Sequence, residues 1–198
     1  MNKYIYPLIE NPFSDDDIIK GIKVLKSKQL TLSKETKNFE KEFTVKLKSN
    51  YSLMVNSGSS ANLLALQCLI NPHRKNRLMK GDEIIIPTLC WSTSLWPIVQ
   101  SNLKPVFVDI DLENLNIDIE KLKKKITTKT KAIMLVHALG NCTSMNKLKK
   151  LCSNKKITLI EDCCEALGSK YNNKYLGTFG NISTFSFYFS HHVHLCYQ

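Results

Sequence analysis

The sequence predicts an α/β domain: a mainly parallel sheet with helices on both faces, preceded by a helical segment over residues 1–50. Two observations carry that expectation. From residue 51 onward, short apolar runs alternate with amphipathic stretches of helical period, the pattern of successive strand–helix units. The runs are brief and apolar throughout, as strands covered on both faces are. Ligands on such sheets collect beyond the carboxyl ends of the strands, and the motifs that matter here stand at such ends.

In the amino-terminal segment, Ser14 followed by Asp15, Asp16 and Asp17 forms an N-cap with an acidic first turn, and Ile18, Ile22 and Leu25 then share one face. Phe39, Phe43 and Leu47 recur at helical spacing in a second helix. Leu53-Met-Val55 is the first expected strand, with a helix from Ala61 to Ile70 after it. The next unit pairs a strand at Glu83–Ile86 with a helix from Trp91 to Gln100. Pro105–Val108 leads to a helix near Asp118 to Ile126, and Ala132–Val136 to one near Thr143 to Cys152. Ile157–Ile160 precedes a short helix from Cys163 to Leu167, and a last strand is expected over Ile182 to Phe187.

A chain of 198 residues with 43% hydrophobic and 23% charged content is long enough for a sizeable core and ordinary for a globular protein. The net charge of +11 comes from lysine, since only Arg74 and Arg77 are arginine. Lysine lacks the planar fork that binds phosphate in two places. The lysines also gather on expected helical faces, at Lys121, Lys123, Lys124 and Lys125 and at Lys147, Lys149 and Lys150. The excess is therefore assigned to solvated faces, and neither a nucleic-acid nor a membrane partner is expected. No apolar core of signal-peptide length opens the chain, and no run of about eighteen apolar residues occurs in it. A cytoplasmic location is expected, which suits seven cysteines without a C-x-x-C pair as reduced thiols.

Three motifs invite chemistry. Val55-Asn-Ser-Gly-Ser-Ser-Ala-Asn62 lies between a strand and a helix. Gly58 there permits an unusual backbone angle, while Ser59 and Ser60 can aim amides and hydroxyls at an anion. The same small residues also serve as ordinary helix caps, and the motif is neither a P-loop nor a dinucleotide fingerprint. Pro87-Thr-Leu-Cys-Trp-Ser-Thr93 sets Trp91 past a strand end, as a flat wall for a ligand or as rim packing. Glu161-Asp162-Cys163-Cys164-Glu165 follows another strand, and its acids suit either a site or a helix cap.

With Gly168, Gly177-Thr-Phe-Gly180 and the run Thr184-Phe-Ser-Phe-Tyr-Phe-Ser-His-His192, these motifs resemble the pyridoxal phosphate (PLP) site of the sugar aminotransferase family of the DegT/DnrJ/EryC1/StrS type. Phe107-Val-Asp-Ile-Asp111, Asn116-Ile-Asp118 and Val136-His-Ala-Leu-Gly140 match further family signposts, so the resemblance runs from about residue 10 to 192. It implies the large domain of a fold type I PLP enzyme over 51–198. By the same resemblance Gly58, Ser59, Ser60 and Ser186 receive the cofactor phosphate, and Trp91 stacks on its ring. Asp162 would keep the ring nitrogen protonated, which the electron sink requires. Glu165, roughly on the same helical face, would contact the ring hydroxyl. Cys142 replaces a usual proline without evident chemical meaning, and His137 is structural or at the edge of the site.

Where most of the family has the lysine that holds the cofactor as a Schiff base, this chain has His191. That variant resembles the deoxysugar 3-dehydratases of lipopolysaccharide and polysaccharide biosynthesis, which act on nucleotide-linked 4-keto-6-deoxy sugars. There pyridoxamine phosphate (PMP) condenses with the 4-keto group, His191 takes a proton from the cofactor's C4′ carbon, and the C3 hydroxyl leaves. A neutral imidazole of pKa about 6.5 suits that work. An iron–sulfur cluster, carried by one branch, is not assessable from the residues before 192. A sugar aminotransferase is the alternative enzyme, but Lys170 and Lys174 stand off the family's lysine position. A catalytically inactive fragment or binding remnant is the alternative of another class. Val193-His-Leu-Cys-Tyr-Gln198 departs from the family's Gly-Gly continuation. The expectation is thus a chain lacking its carboxyl-terminal part and small domain, inactive and poorly soluble alone, and a homodimer at full family length. His191, His192, His194 and Cys196 match no zinc spacing, so no metal is expected.

Overall fold

A computed structural model describes residues 13–188. Helix α1 (Asp15–Ser27) starts at the expected cap: Ser14 Oγ accepts the Asp17 amide at 3.3 Å, and the Asp17 carboxylate accepts the Ser14 amide at 3.1 Å. None of its residues is buried, so the Ile18/Ile22/Leu25 face meets solvent. Helix α2 (Lys34–Leu47) is anchored instead through aromatic rings. Phe43 meets Phe185 edge-on at 5.1 Å, and Phe39 meets Phe187 at 5.1 Å.

The expected strand at Leu53–Val55 does not form. Its residues carry the right propensity, but a strand needs a partner edge, and this segment lies outside the ladder of the described sheet. The Met54 amide donates instead to Glu40 Oε1 at 2.8 Å. Helix α3 (Gly58–Ile70) begins three residues earlier than expected, capped by Ser57 Oγ on the Ser60 amide at 3.1 Å.

Strand β1 (Glu83–Pro87), helix α4 (Ser92–Gln100) and strand β2 (Lys104–Val108) follow as expected. A small hairpin, β3 (Ile110–Asp111) with β4 (Asn116–Ile117), then precedes α5 (Ile119–Lys125), which Asp118 caps. Strand β5 (Thr130–Val136), helix α6 (Met145–Lys155) and strand β6 (Thr158–Asp162) complete the middle of the sheet. Helix α6 starts two residues after its expected first turn.

No helix forms at 163–167. The Asp162 carboxylate takes the Cys164 amide, the Cys163 amide bonds the Thr184 carbonyl at 2.8 Å, and Gly168 at φ +85° turns the chain away. The chain closes a single turn instead, the Ala166 amide donating to the Cys163 carbonyl at 3.0 Å. A second hairpin, β7 (Lys170–Tyr171) with β8 (Lys174–Tyr175), was not expected. Strand β9 (Ile182–Thr184) ends three residues early, because Phe185 and Phe187 leave the ladder to pack on α2.

The five central strands are ordered β2-β1-β5-β6-β9, and every adjacent pair is parallel. Alternate residues of each strand enter opposite cores. Ile85, Ile133, Leu135 and Leu159 face α5 and α6. Ile84, Ile86, Met134 and Ile160 face α3 and α4. Helices therefore cover both faces. The chain runs from β1 outward to β2, then returns to the other side of β1 with β5. The strand order reverses between β1 and β5, and a crevice opens there at the carboxyl ends. Among the described residues no helix is long and apolar enough to cross a membrane.

Candidate functional site

A crevice of about 900 Å³ occupies that switch point. The start of α3 forms one wall, the turn after β1 a second, and the ends of β5 and β6 the floor. Gly58, Ser59, Trp91, Asp162, Glu165 and Ser186 all line it. Ser60 does not; its amide is spent on the Ser57 cap. His191 lies outside the described residues. A smaller groove of about 470 Å³ beside Lys149 and Lys156 sits at the opposite ends of the strands, away from these motifs.

Gly58 occupies ordinary helical backbone, not the unusual angle its type suggested. What requires glycine is proximity: a Cβ there would stand 2.9 Å from Cys164 Sγ and 3.0 Å from Ser186 Cβ. The amino terminus of α3 is thereby drawn against the turns that follow β6 and β9. Helix geometry leaves the Gly58 and Ser59 amides without intrahelical acceptors, so the crevice receives free donors and the positive end of the helix dipole. Trp91 is the N-cap residue of α4 and is 73% exposed, which leaves its indole face open to the crevice.

Asp162, the last residue of β6, is buried beneath the crevice. Its Oδ2 accepts Asn62 Nδ2 at 2.8 Å and Ser94 Oγ at 2.7 Å, and its Oδ1 accepts the Cys164 amide at 3.1 Å. Asn62 Oδ1 in turn accepts the Thr184 hydroxyl at 2.6 Å. Asn62, Ser94 and Ser57 were not singled out from the sequence. A signal existed for Asn62: it is a polar residue on the apolar face of α3, one turn after Gly58. Glu165 is not on a helix with Asp162, yet it reaches the crevice because its carboxylate accepts the Leu139 amide at 2.9 Å. Burial, and then the Asp162 charge, push the Cys90 and Cys164 thiols up. Both stay protonated at neutral pH and are not nucleophiles.

Glu161 points to the opposite face and is fully buried. Its Oε2 accepts His137 Nε2 and the Gly177 amide, both at 2.9 Å, and its Oε1 accepts the Phe179 and Gly180 amides. Burial pushes its carboxyl up, but His137 and the Gly180 and Gly177 amides outweigh that and hold it below the usual value. The donor atoms of His137, Glu161 and Cys163 lie within 4.8 Å of one another. Both Glu161 oxygens are already filled, however, and burial keeps the Cys163 thiol protonated. The cluster is a hydrogen-bond junction tying β5, β6 and the 177–180 turn together, and His137 is structural.

The model of the DegT/DnrJ/EryC1/StrS aminotransferase family matches residues 14–196. Over 188 residues the chain is 44% identical to a GDP-4-keto-6-deoxy-D-mannose 3-dehydratase of Escherichia coli O55:H7, covering 95% of this chain and 48% of the relative. A protein of the same name from Yersinia pseudotuberculosis is 40% identical over 188 residues, with the same coverage of 95% and 48%. A solved structure of the E. coli dehydratase with bound hydrated PLP superposes with a TM-score of 0.90 at 44% identity, over 95% of this chain and 48% of that one. The chain spans about half the length of the curated relatives it matches. A family match across nearly the whole sequence, together with this shared architecture, shows that the chain belongs to the DegT/DnrJ/EryC1/StrS aminotransferase family.

Proposed function

We propose that this chain carries the cofactor site of a PLP/PMP-dependent nucleotide-sugar 3-dehydratase. Its substrate is a nucleotide-linked 4-keto-6-deoxyhexose, and the names of its relatives favour GDP-4-keto-6-deoxymannose. One observation carries the cofactor reading: helix-terminal donors, an open indole face and a buried carboxylate share a single crevice at the switch point of the sheet. The residues suit the group. A side chain at position 58 would press on Cys164 and Ser186, so this edge of the crevice is kept free of one.

Bound there, the cofactor supplies an electron sink that depends on a protonated ring nitrogen. The Gly58 and Ser59 amides and the Ser186 hydroxyl hold its phosphate, by the anion preference of a helix amino terminus. Trp91 covers the flat ring and excludes water from one side. Asp162 keeps the proton on the ring nitrogen, and Glu165 meets the ring hydroxyl. His191 stands at the family's lysine position with an imidazole in place of a primary amine. It accepts a proton near neutral pH and forms no covalent link.

Borohydride treatment tests this directly. The purified protein loaded with PLP should show no pyridoxyl adduct at residue 191 by mass spectrometry, whereas His191→Lys should acquire one. His191→Asn should keep its PLP affinity within about twofold, because the phosphate, ring and nitrogen contacts are untouched. An adduct on another lysine of the unaltered protein replaces the dehydratase reading with an aminotransferase.

A further inference from the structure

We propose that Asn62, assisted by Ser94, is a positioning residue that holds the Asp162 carboxylate through Oδ2 and so turns Oδ1 to a protonated ring nitrogen. The inference rests on the cofactor reading above and adds to it the device that aims the carboxylate.

A carboxylate offers about four acceptor sites, two on each oxygen. Asn62 Nδ2 at 2.8 Å and Ser94 Oγ at 2.7 Å fill both sites of Oδ2. The Cys164 amide donates to Oδ1 at 3.1 Å, and the Cys164 thiol also bonds the carboxylate. Oδ1 is thus the oxygen that Asn62 and Ser94 do not hold, on a residue that lines the crevice. Asn62 is itself held from two sides. Thr184 donates to its Oδ1 at 2.6 Å, and its Nδ2 also reaches the Thr93 carbonyl at 3.3 Å. Asp162 and the Thr93 carbonyl can only accept, so both call for the Asn62 nitrogen, and the Thr184 hydroxyl holds the amide in that orientation by donating to its oxygen.

Two further features fit this role. Asn62 is completely buried, so its bond to Asp162 does not compete with bulk water. The side-chain donors on Asp162 are also neutral. A lysine or arginine would cancel the charge that a protonated ring nitrogen needs; an amide and a hydroxyl orient the carboxylate and leave its charge in place. Gly58 and Asn62 stand four residues apart on one helix, about 6 Å along its axis. The same turn of α3 thus presents donors to the phosphate and fixes the acceptor for the nitrogen, setting the spacing between the two ends of the ligand.

The test compares PLP with its analogue in which the ring nitrogen is replaced by carbon, by equilibrium titration of the purified protein. The unaltered protein should prefer PLP. In Asn62→Ala and Ser94→Ala that preference should shrink by about tenfold, the size of one misaligned charge-assisted bond. Thr184→Val should shrink it in the same direction, and Thr184→Ser, which keeps the hydroxyl, should restore it. Equal losses of affinity for both compounds would mark Asn62 as merely structural and overturn the proposal. If Asn62→Ala does not fold, Ser94→Ala and the Thr184 pair decide the matter alone. Binding of both compounds equally by the unaltered protein removes Asp162 from the ring nitrogen, and binding of neither removes the cofactor site; either result overturns the proposal together with the reading beneath it, and is distinguishable from equal losses in the variants.

Discussion

Two adjacent carboxylates end β6 and do different work, because neighbouring strand residues point to opposite faces. Asp162 turns toward the crevice, while Glu161 gathers four donors in the core. Gly180 lets its own amide reach Glu161, since a Cβ there would come within 2.7 Å of the Leu159 carbonyl. Replacing Glu161 by Leu strands three amides and His137 at once. The expected loss is at least about 3 kcal/mol in chemical denaturation, and a loss under about 1 kcal/mol would contradict the junction. Because the fold holds the Glu161 carboxyl below its ordinary value, its contribution is fully present above the unfolded pKa of about 4.3. It is lost as pH falls through the lower folded value. Stability of Glu161→Gln should therefore vary less across that acidic window than that of the unaltered protein; parallel profiles would show that Glu161 carries no acid sensitivity.

Site residues announced themselves by type more readily than by reason. Gly58 was visible as a special glycine, but its cause is a close approach made by turns more than a hundred residues away, which local sequence does not contain. Asn62 and Ser94 went unnoticed for the same reason: their partner is Asp162, distant in sequence and brought near only by the sheet. Glu161 was quoted within its motif, yet its role depends on amides from 177–180.

At the scale of elements, β1, β2, β5 and β6 were legible because each is a short apolar run bounded by turns, buried on both faces or flanked by a helix. The segment at 53–55 shows the limit of that logic. Propensity is local, whereas a ladder requires a neighbour. The expected helix at 163–167 is replaced by a single turn, after which Gly168 at φ +85° redirects the chain. The β7–β8 hairpin was not expected, although its turn carries a local signal. Asn172 and Asn173 have φ of 49° and 61°, the positive pair that a two-residue hairpin turn demands and that asparagine tolerates. Asn173→Gly should leave stability unchanged or slightly raised. Asn173→Val should cost about 1–2 kcal/mol by forcing a branched residue into left-handed backbone. Equal melting temperatures for the two variants would mean the turn relaxes to another form.

Across the whole molecule, apolar surface is unevenly spent. The central strands β1, β5 and β6 hide their isoleucines completely, yet α1 turns Ile18, Ile22 and Leu25 to solvent at 52%, 46% and 63% exposure. Full burial of each such side chain is worth about 1.5–3 kcal/mol, and contiguous apolar surface of this kind drives association. Opposing it is the net charge of +11, which repels like copies over a distance set by salt. These two terms predict a characteristic sign. Self-association of the purified chain should rise with protein concentration and also with ionic strength, because salt screens the lysines and leaves the apolar attraction intact. Lysine at both Ile18 and Ile22 should suppress it by removing the attraction and adding charge, without altering PLP binding in the crevice. Sedimentation velocity at low and high salt reads both effects. A chain that stays monomeric at high salt and melts in one sharp transition would show that this helix face is tolerated in water as it stands.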